Sequence, residues 1–69
     1  MDSKHLGRKI KLARVEHDLT QAELAHKIKA LQKSISGYET GAATPSLETL
    51  LKIAKALDKP VSHFFEGIG

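Results

Sequence analysis

There is no cysteine in the chain, so neither a disulfide framework nor a thiolate metal site holds it together. Tryptophan is missing as well, and the only aromatic residues are Tyr38, Phe64 and Phe65. The core therefore has to come from leucine, isoleucine and alanine, a composition that suits helices. Strand-like alternation, internal repeats and low-complexity tracts are absent too. No apolar run approaches the roughly 20 residues of a membrane span. Behind the opening Met1-Asp2-Ser3-Lys4-His5 lies no hydrophobic stretch of the signal-peptide kind. A cytoplasmic location is the expectation that follows.

What is present fits one small folded unit, expected over residues 1–69. A chain this short buries little more than about 60% of its unfolded surface, so a single core has to suffice. Apolar residues at 41% and charged residues at 28% separate it from disordered tails. The net charge of +3 is unevenly spread. Residues 1–18 carry five basic and three acidic side chains, residues 19–41 three and two, and residues 42–69 three of each. All the excess positive charge thus lies in the first 41 residues. Such a half is either a solvated lysine-rich surface or the footprint of a polyanion binder, and position decides between them.

Asp2 or Ser3 can cap a first helix that ends around His17-Asp18. Leu6, Ile10, Ala13 and Leu12 with Val15 recur along it at helical spacing, and Lys4, Arg8, Lys9 and Lys11 take the other face. Thr20-Gln21-Ala22-Glu23 fits a capping box, with Leu19 placed for a hydrophobic staple. Gly41 to Ser46 is a loop, where glycine ends one helix and Pro45 blocks its continuation. Ser46 caps the next helix, whose apolar stripe is Leu47, Leu50, Leu51, Ala54 and Leu57, and Asp58-Lys59-Pro60 stops it. Ser62-His63-Phe64-Phe65 then reads as a short last helix that drops its phenylalanines onto the core.

The stretch 21–38 resists this reading. From Gln21 to Ser36 no Gly, Pro, Asn or Asp interrupts it, and Leu24, Ile28, Leu31, Ile35 and Tyr38 recur at spacings of 4, 3, 4 and 3. Periodicity alone makes it one long helix with a coiled-coil-like seam, and hence an elongated helical oligomer.

Several motifs in register argue otherwise. Leu19-Thr20-Gln21-Ala22-Glu23-Leu24-Ala25, Ile35-Ser36, Tyr38-Glu39-Thr40-Gly41, Pro45-Ser46-Leu47-Glu48-Thr49-Leu50 and Ile53-Ala54-Lys55-Ala56-Leu57 together resemble the Xre family of phage repressor and Cro-type helix-turn-helix domains. The likeness runs from about Leu6 to Phe65. It implies an all-α, five-helix, lambda-repressor-like domain in which helices 2 and 3 form the motif and helix 3, about Gln32 to Thr40, enters the major groove of double-stranded DNA. It further implies that Gln21 touches a phosphate and braces helix 3, and that Gln32 and Lys33 face base edges, where Gln suits adenine and Lys suits guanine. Ser34, Ser36 and Thr40 are then small donors toward phosphates or bases, and the Gly41 N–H and the start of helix 4 add backbone donors. Arg14 and Glu39 take the positions of an ion pair that links helix 1 to the end of helix 3.

The sequence departs from the family pattern at particular places. Asp18 stands where glycine usually ends helix 1, and Lys29-Ala30-Leu31 replaces a turn that usually reads Gly-Val-Ser. Each lost feature, positive-φ glycine or helix cap, is worth about 1 kcal/mol. Gly37 stands where relatives often carry a base-contacting side chain.

The function implied is sequence-specific transcriptional regulation, as a homodimer on a palindromic operator. Ile53, Phe64, Phe65 and Ile68 are expected at the dimer contact, the alternative being that they finish the monomer core. A second reading is a protein-interaction module on the same scaffold, such as an antitoxin half or a coactivator-like adaptor. The four histidines, His5, His17, His26 and His63, lack metal-ligand spacing, so no metal or cofactor is expected. Neither a nucleophile elbow nor a phosphate-binding loop surrounds Ser, His or Asp, which argues against an enzyme.

Overall fold

Three of the four α-helices start at a side chain that accepts backbone hydrogen bonds. The computed structural model describes residues 2–67 and is all-α among them. Its elements are α1 (Ser3–Glu16), α2 (Gln21–Lys27), α3 (Gln32–Thr40), α4 (Leu47–Ala56) and a short 3-10 helix, Val61–Phe65. The Asp2 carboxylate accepts from the N–H groups of Lys4 (3.0 Å) and His5 (3.3 Å). Thr20 and Glu23 close the capping box with bonds of 3.0 and 2.9 Å, and Ser46 accepts from the Thr49 N–H at 3.1 Å. Of the four α-helices, α3 alone begins without a side-chain cap, at Leu31.

The core sits where these helices meet. Leu6, Ile10 and Ala13 face it from α1, Leu24, Ala25 and Ile28 from the second helix and its end, and Ile35 from α3. Leu50, Ile53, Ala54 and Leu57 close it from α4, and Phe64 plugs it from the 3-10 helix. Burying side chains of this size stabilises by about 1.5–3 kcal/mol each, the main favourable term available to so small a chain.

The stretch 21–38 is two helices. The chain leaves α2 at Ile28, and Lys29 takes the left-handed conformation at φ 57° despite its side chain. The Ala30 N–H donates back to the Ala25 carbonyl at 2.8 Å, Ala30 packs against the core, and Leu31 turns outward. Leu24 and Ile35 both reach full burial because of this bend. Leu24, Ile28 and Ile35 of the expected seam are buried in the core of one chain, so no continuous seam is left to build an elongated oligomer.

Further expectations change at the surface. Leu12 and Val15 of α1 are exposed rather than core-facing. On α4 the buried stripe runs through Leu50, Ile53, Ala54 and Leu57, while Leu47 and Leu51 stay 65% and 48% exposed. The fifth helix is a 3-10 turn that begins at Val61. The expected dimer patch is corrected accordingly: Ile53 and Phe64 are fully buried in the core, Phe65 is half-buried, and Ile68 lies outside the described residues.

Candidate nucleic-acid interface

At 100° per residue, Gln32, Lys33, Ser36, Gly37 and Thr40 share an arc of about 140° on α3. Ile35 points away from that arc and Glu39 lies at its edge beside Gln32, and both are buried. The outward arc is the face left free: Gln32, Lys33 and Thr40 are exposed, and Ser36 and Gly37 half-buried; Ser34, half-buried too, lies outside the arc.

One polar cluster fixes α3 beneath that face. Arg14 of α1 grips Glu39 with two bonds, Nε to Oε2 at 2.6 Å and Nη2 to Oε1 at 3.0 Å. Its Nη1 donates to the Leu19 carbonyl at 2.7 Å, and the Gln21 amide donates to Glu39 Oε1 at 3.1 Å. The Glu39 side chain is only 3% exposed, so its charge is matched by a fork-shaped cation and an amide rather than by water. The hydrogen bond to Glu39 holds the Arg14 guanidinium above its ordinary pKa, with burial opposing and the Glu39 charge adding to it. α1, the α1–α2 link, α2 and α3 are thereby tied at one point. Gln21 braces the helix through one amide hydrogen.

A second device was not read from the sequence. α1 crosses α3 at Gly7, where a β-carbon would sit 2.7 Å from the Glu39 carbonyl oxygen and also overlap the Tyr38 carbonyl. Glycine is required there for the two backbones to approach. The available signal was a lone glycine inside an otherwise helical pattern.

Two expected donors are occupied inside the protein. The Thr40 hydroxyl donates to the Gly37 carbonyl at 3.2 Å and accepts from the Ala42 N–H at 3.4 Å. The Gly41 N–H, at φ 82°, donates to the Tyr38 carbonyl at 3.3 Å. Both sets of bonds shape the end of α3. At Gly37 a β-carbon would meet only Ala43, at 3.5 Å, so nothing steric demands glycine.

Lysines continue the positive surface beyond α3: Lys27, Lys29, Lys52 and Lys55 line an open groove between the ends of α2 and α4. Among the described residues no group of three or more His, Cys, Asp and Glu is placed to hold a metal ion. No helix among them is long and apolar enough to cross a membrane.

The chain is similar to known proteins in sequence and in fold. The chain is 41% identical over 55 residues to the cryptic phage CTXphi transcriptional repressor RstR of Vibrio cholerae, an alignment covering 80% of this chain and 50% of that protein. It spans about half the length, or less, of the first curated relatives it matches. The restriction-modification controller protein C.AhdI from Aeromonas hydrophila superposes with a TM-score of 0.89 at 30% identity, covering 93% of this chain and 97% of that one. PlcR of Bacillus thuringiensis, solved in complex with a peptide and DNA, superposes with a TM-score of 0.84 at 41% identity, covering 91% of this chain and 22% of PlcR. The helix-turn-helix family model matches residues 10–64. The chain belongs to the helix-turn-helix family, of the Xre type.

Proposed function

We propose that this chain is the DNA-reading domain of a regulator that binds a palindromic operator as a homodimer, with α3 of each protomer in the major groove. The observation that carries this reading is the uncovered face of α3, braced from behind by Arg14, Glu39 and Gln21 and presenting Gln32 and Lys33 at its N-terminal end. Gln32 and Lys33 face base edges, and Ser34, Ser36 and the free part of the Gln21 amide meet phosphates. Gly37 leaves room for the groove wall. Two-fold symmetry doubles the few base contacts that one such domain makes. With Ile53 and Phe64 in the core, the exposed pair Leu47 and Leu51 on α4 supplies the apolar surface for a protomer contact. The setting is cytoplasmic, where bacterial-type operators lie.

Selection of bound sequences from random duplex DNA, followed by gel shift, tests the reading. The selected pool converges on one dyad-symmetric sequence. Gln32→Ala and Lys33→Ala each lower affinity for it by about 1–3 kcal/mol and relax its base preference. A pool that stays random, or variants that keep the parent's preferred sequence, removes α3 as the reader.

A further inference from the structure

Leu31 is 71% exposed, the most accessible of the large apolar side chains among the described residues. It occupies the N-cap of α3, at φ −89° and ψ 144°, the position where Ser, Thr, Asp or Asn would accept a backbone hydrogen bond. The backbone around it is held firmly. Its carbonyl accepts from the N–H groups of Ser34 (3.0 Å) and Ile35 (3.3 Å), and its neighbour Ala30 is packed against the core. The isobutyl group is thus left in water beside Gln32 and Lys33, at a position where a polar residue would stabilise the helix. Lone leucines on a surface are ordinary. This one stands at the tip of the helix that enters the groove.

The major-groove edges of the four base pairs present one apolar group, the C5-methyl of thymine. We propose that Leu31 reads a thymine by packing against that methyl group, adding a base preference to the polar contacts of Gln32 and Lys33. The assignment rests on α3 being the DNA reader. It accounts for the two features together: the missing cap and the exposed leucine are one substitution, which gives up helix stability for an apolar contact with DNA.

The test replaces each thymine of the selected operator in turn by deoxyuridine, which removes the methyl and leaves every hydrogen-bonding group. At one position in each half-site the parent protein loses about three- to fivefold in affinity, the worth of one buried methyl. Leu31→Ser and Leu31→Ala bind the thymine and deoxyuridine operators with less than about a twofold difference at that position. Leu31→Ser also unfolds at a higher temperature than the parent, because serine caps α3, so its loss of methyl sensitivity is that of a folded protein. A selected operator in which no thymine methyl matters, or a sensitivity that persists in Leu31→Ser, overturns the assignment and leaves α3 as the reader. A pool that yields no preferred sequence overturns both.

Discussion

Glu39 shows how a single charge is made tolerable in the interior of a marginal domain. Its side chain, 3% exposed, accepts three hydrogen bonds, two from Arg14 and one from Gln21. Removing Arg14 strands that carboxylate, and removing Glu39 strands a guanidinium that is itself 11% exposed. Losing one member of a buried pair costs about 3–5 kcal/mol, against a total of about 5 kcal/mol for a small domain. Arg14→Met and Glu39→Leu alone are therefore expected to lower the thermal midpoint severely. The double variant loses much less, since no orphan charge remains. Midpoints in a double-mutant cycle check this, and additive losses would mean that the two groups act independently. The glycines make a sharper contrast. Gly7→Ala forces a β-carbon against the Tyr38 and Glu39 carbonyls and costs about 1–3 kcal/mol, whereas Gly37→Ala meets only Ala43 and gains about 0.5–1 kcal/mol of helix propensity. Chemical denaturation of the two variants should give shifts of opposite sign.

At the scale of elements, the caps were legible and the turn was not. Thr20-Gln21-Ala22-Glu23 announces the start of α2 because a capping box uses a fixed spacing of side chains that compete for known backbone groups. Asp2, Ser46 and Gly41 likewise mark their boundaries. The α2–α3 turn carries no such mark. Lys29 supplies the left-handed φ without being glycine, and Leu31 starts α3 without a cap, so periodicity runs through from Leu24 to Tyr38. Only a resemblance spanning the chain located the bend. Leu12, Val15, Leu47 and Leu51 misled for a related reason: helical spacing identifies apolar residues, but not which of two adjacent stripes has a partner. The capping box also predicts a pH response. The Thr20 N–H and hydroxyl hold the exposed Glu23 carboxyl below its usual range. A depressed folded pKa stabilises above the ordinary carboxylate value, and the stabilisation is lost as pH falls through the folded value. Glu23→Gln is thus expected to lower the midpoint at pH 7 and to match the parent in strong acid. Thr20→Ala removes the cap at both pH values, at about 1 kcal/mol. An equal gap between Glu23→Gln and parent at both ends of the titration would show that the carboxylate contributes nothing through its charge.

For the whole molecule, the charge distribution and the symmetry of binding can be read from one measurement. All the excess positive charge lies in residues 1–41, the half that builds α1, α2 and α3. If lysines and arginines there displace counterions from DNA, the logarithm of affinity falls linearly with the logarithm of salt, at about −0.9 per phosphate neutralised. A protomer with about four phosphate contacts gives a slope of about −3.6, and a symmetric dimer about twice that. The exposed pair Leu47 and Leu51 on α4 separates the two cases. Leu47→Glu with Leu51→Glu leaves the core residues Leu50, Ile53 and Ala54 in place, so the domain stays folded. The charged surface opposes pairing of protomers. The double variant is therefore expected to sediment as a monomer, bind a half-site, and show a slope near half that of the parent. Gel-shift titrations at several salt concentrations, run with analytical ultracentrifugation, give both readings from the same samples. An affinity independent of salt would remove the electrostatic basis of DNA binding. A parent-like slope and a dimeric mass in the variant would leave dimeric binding intact and exclude α4 as its contact.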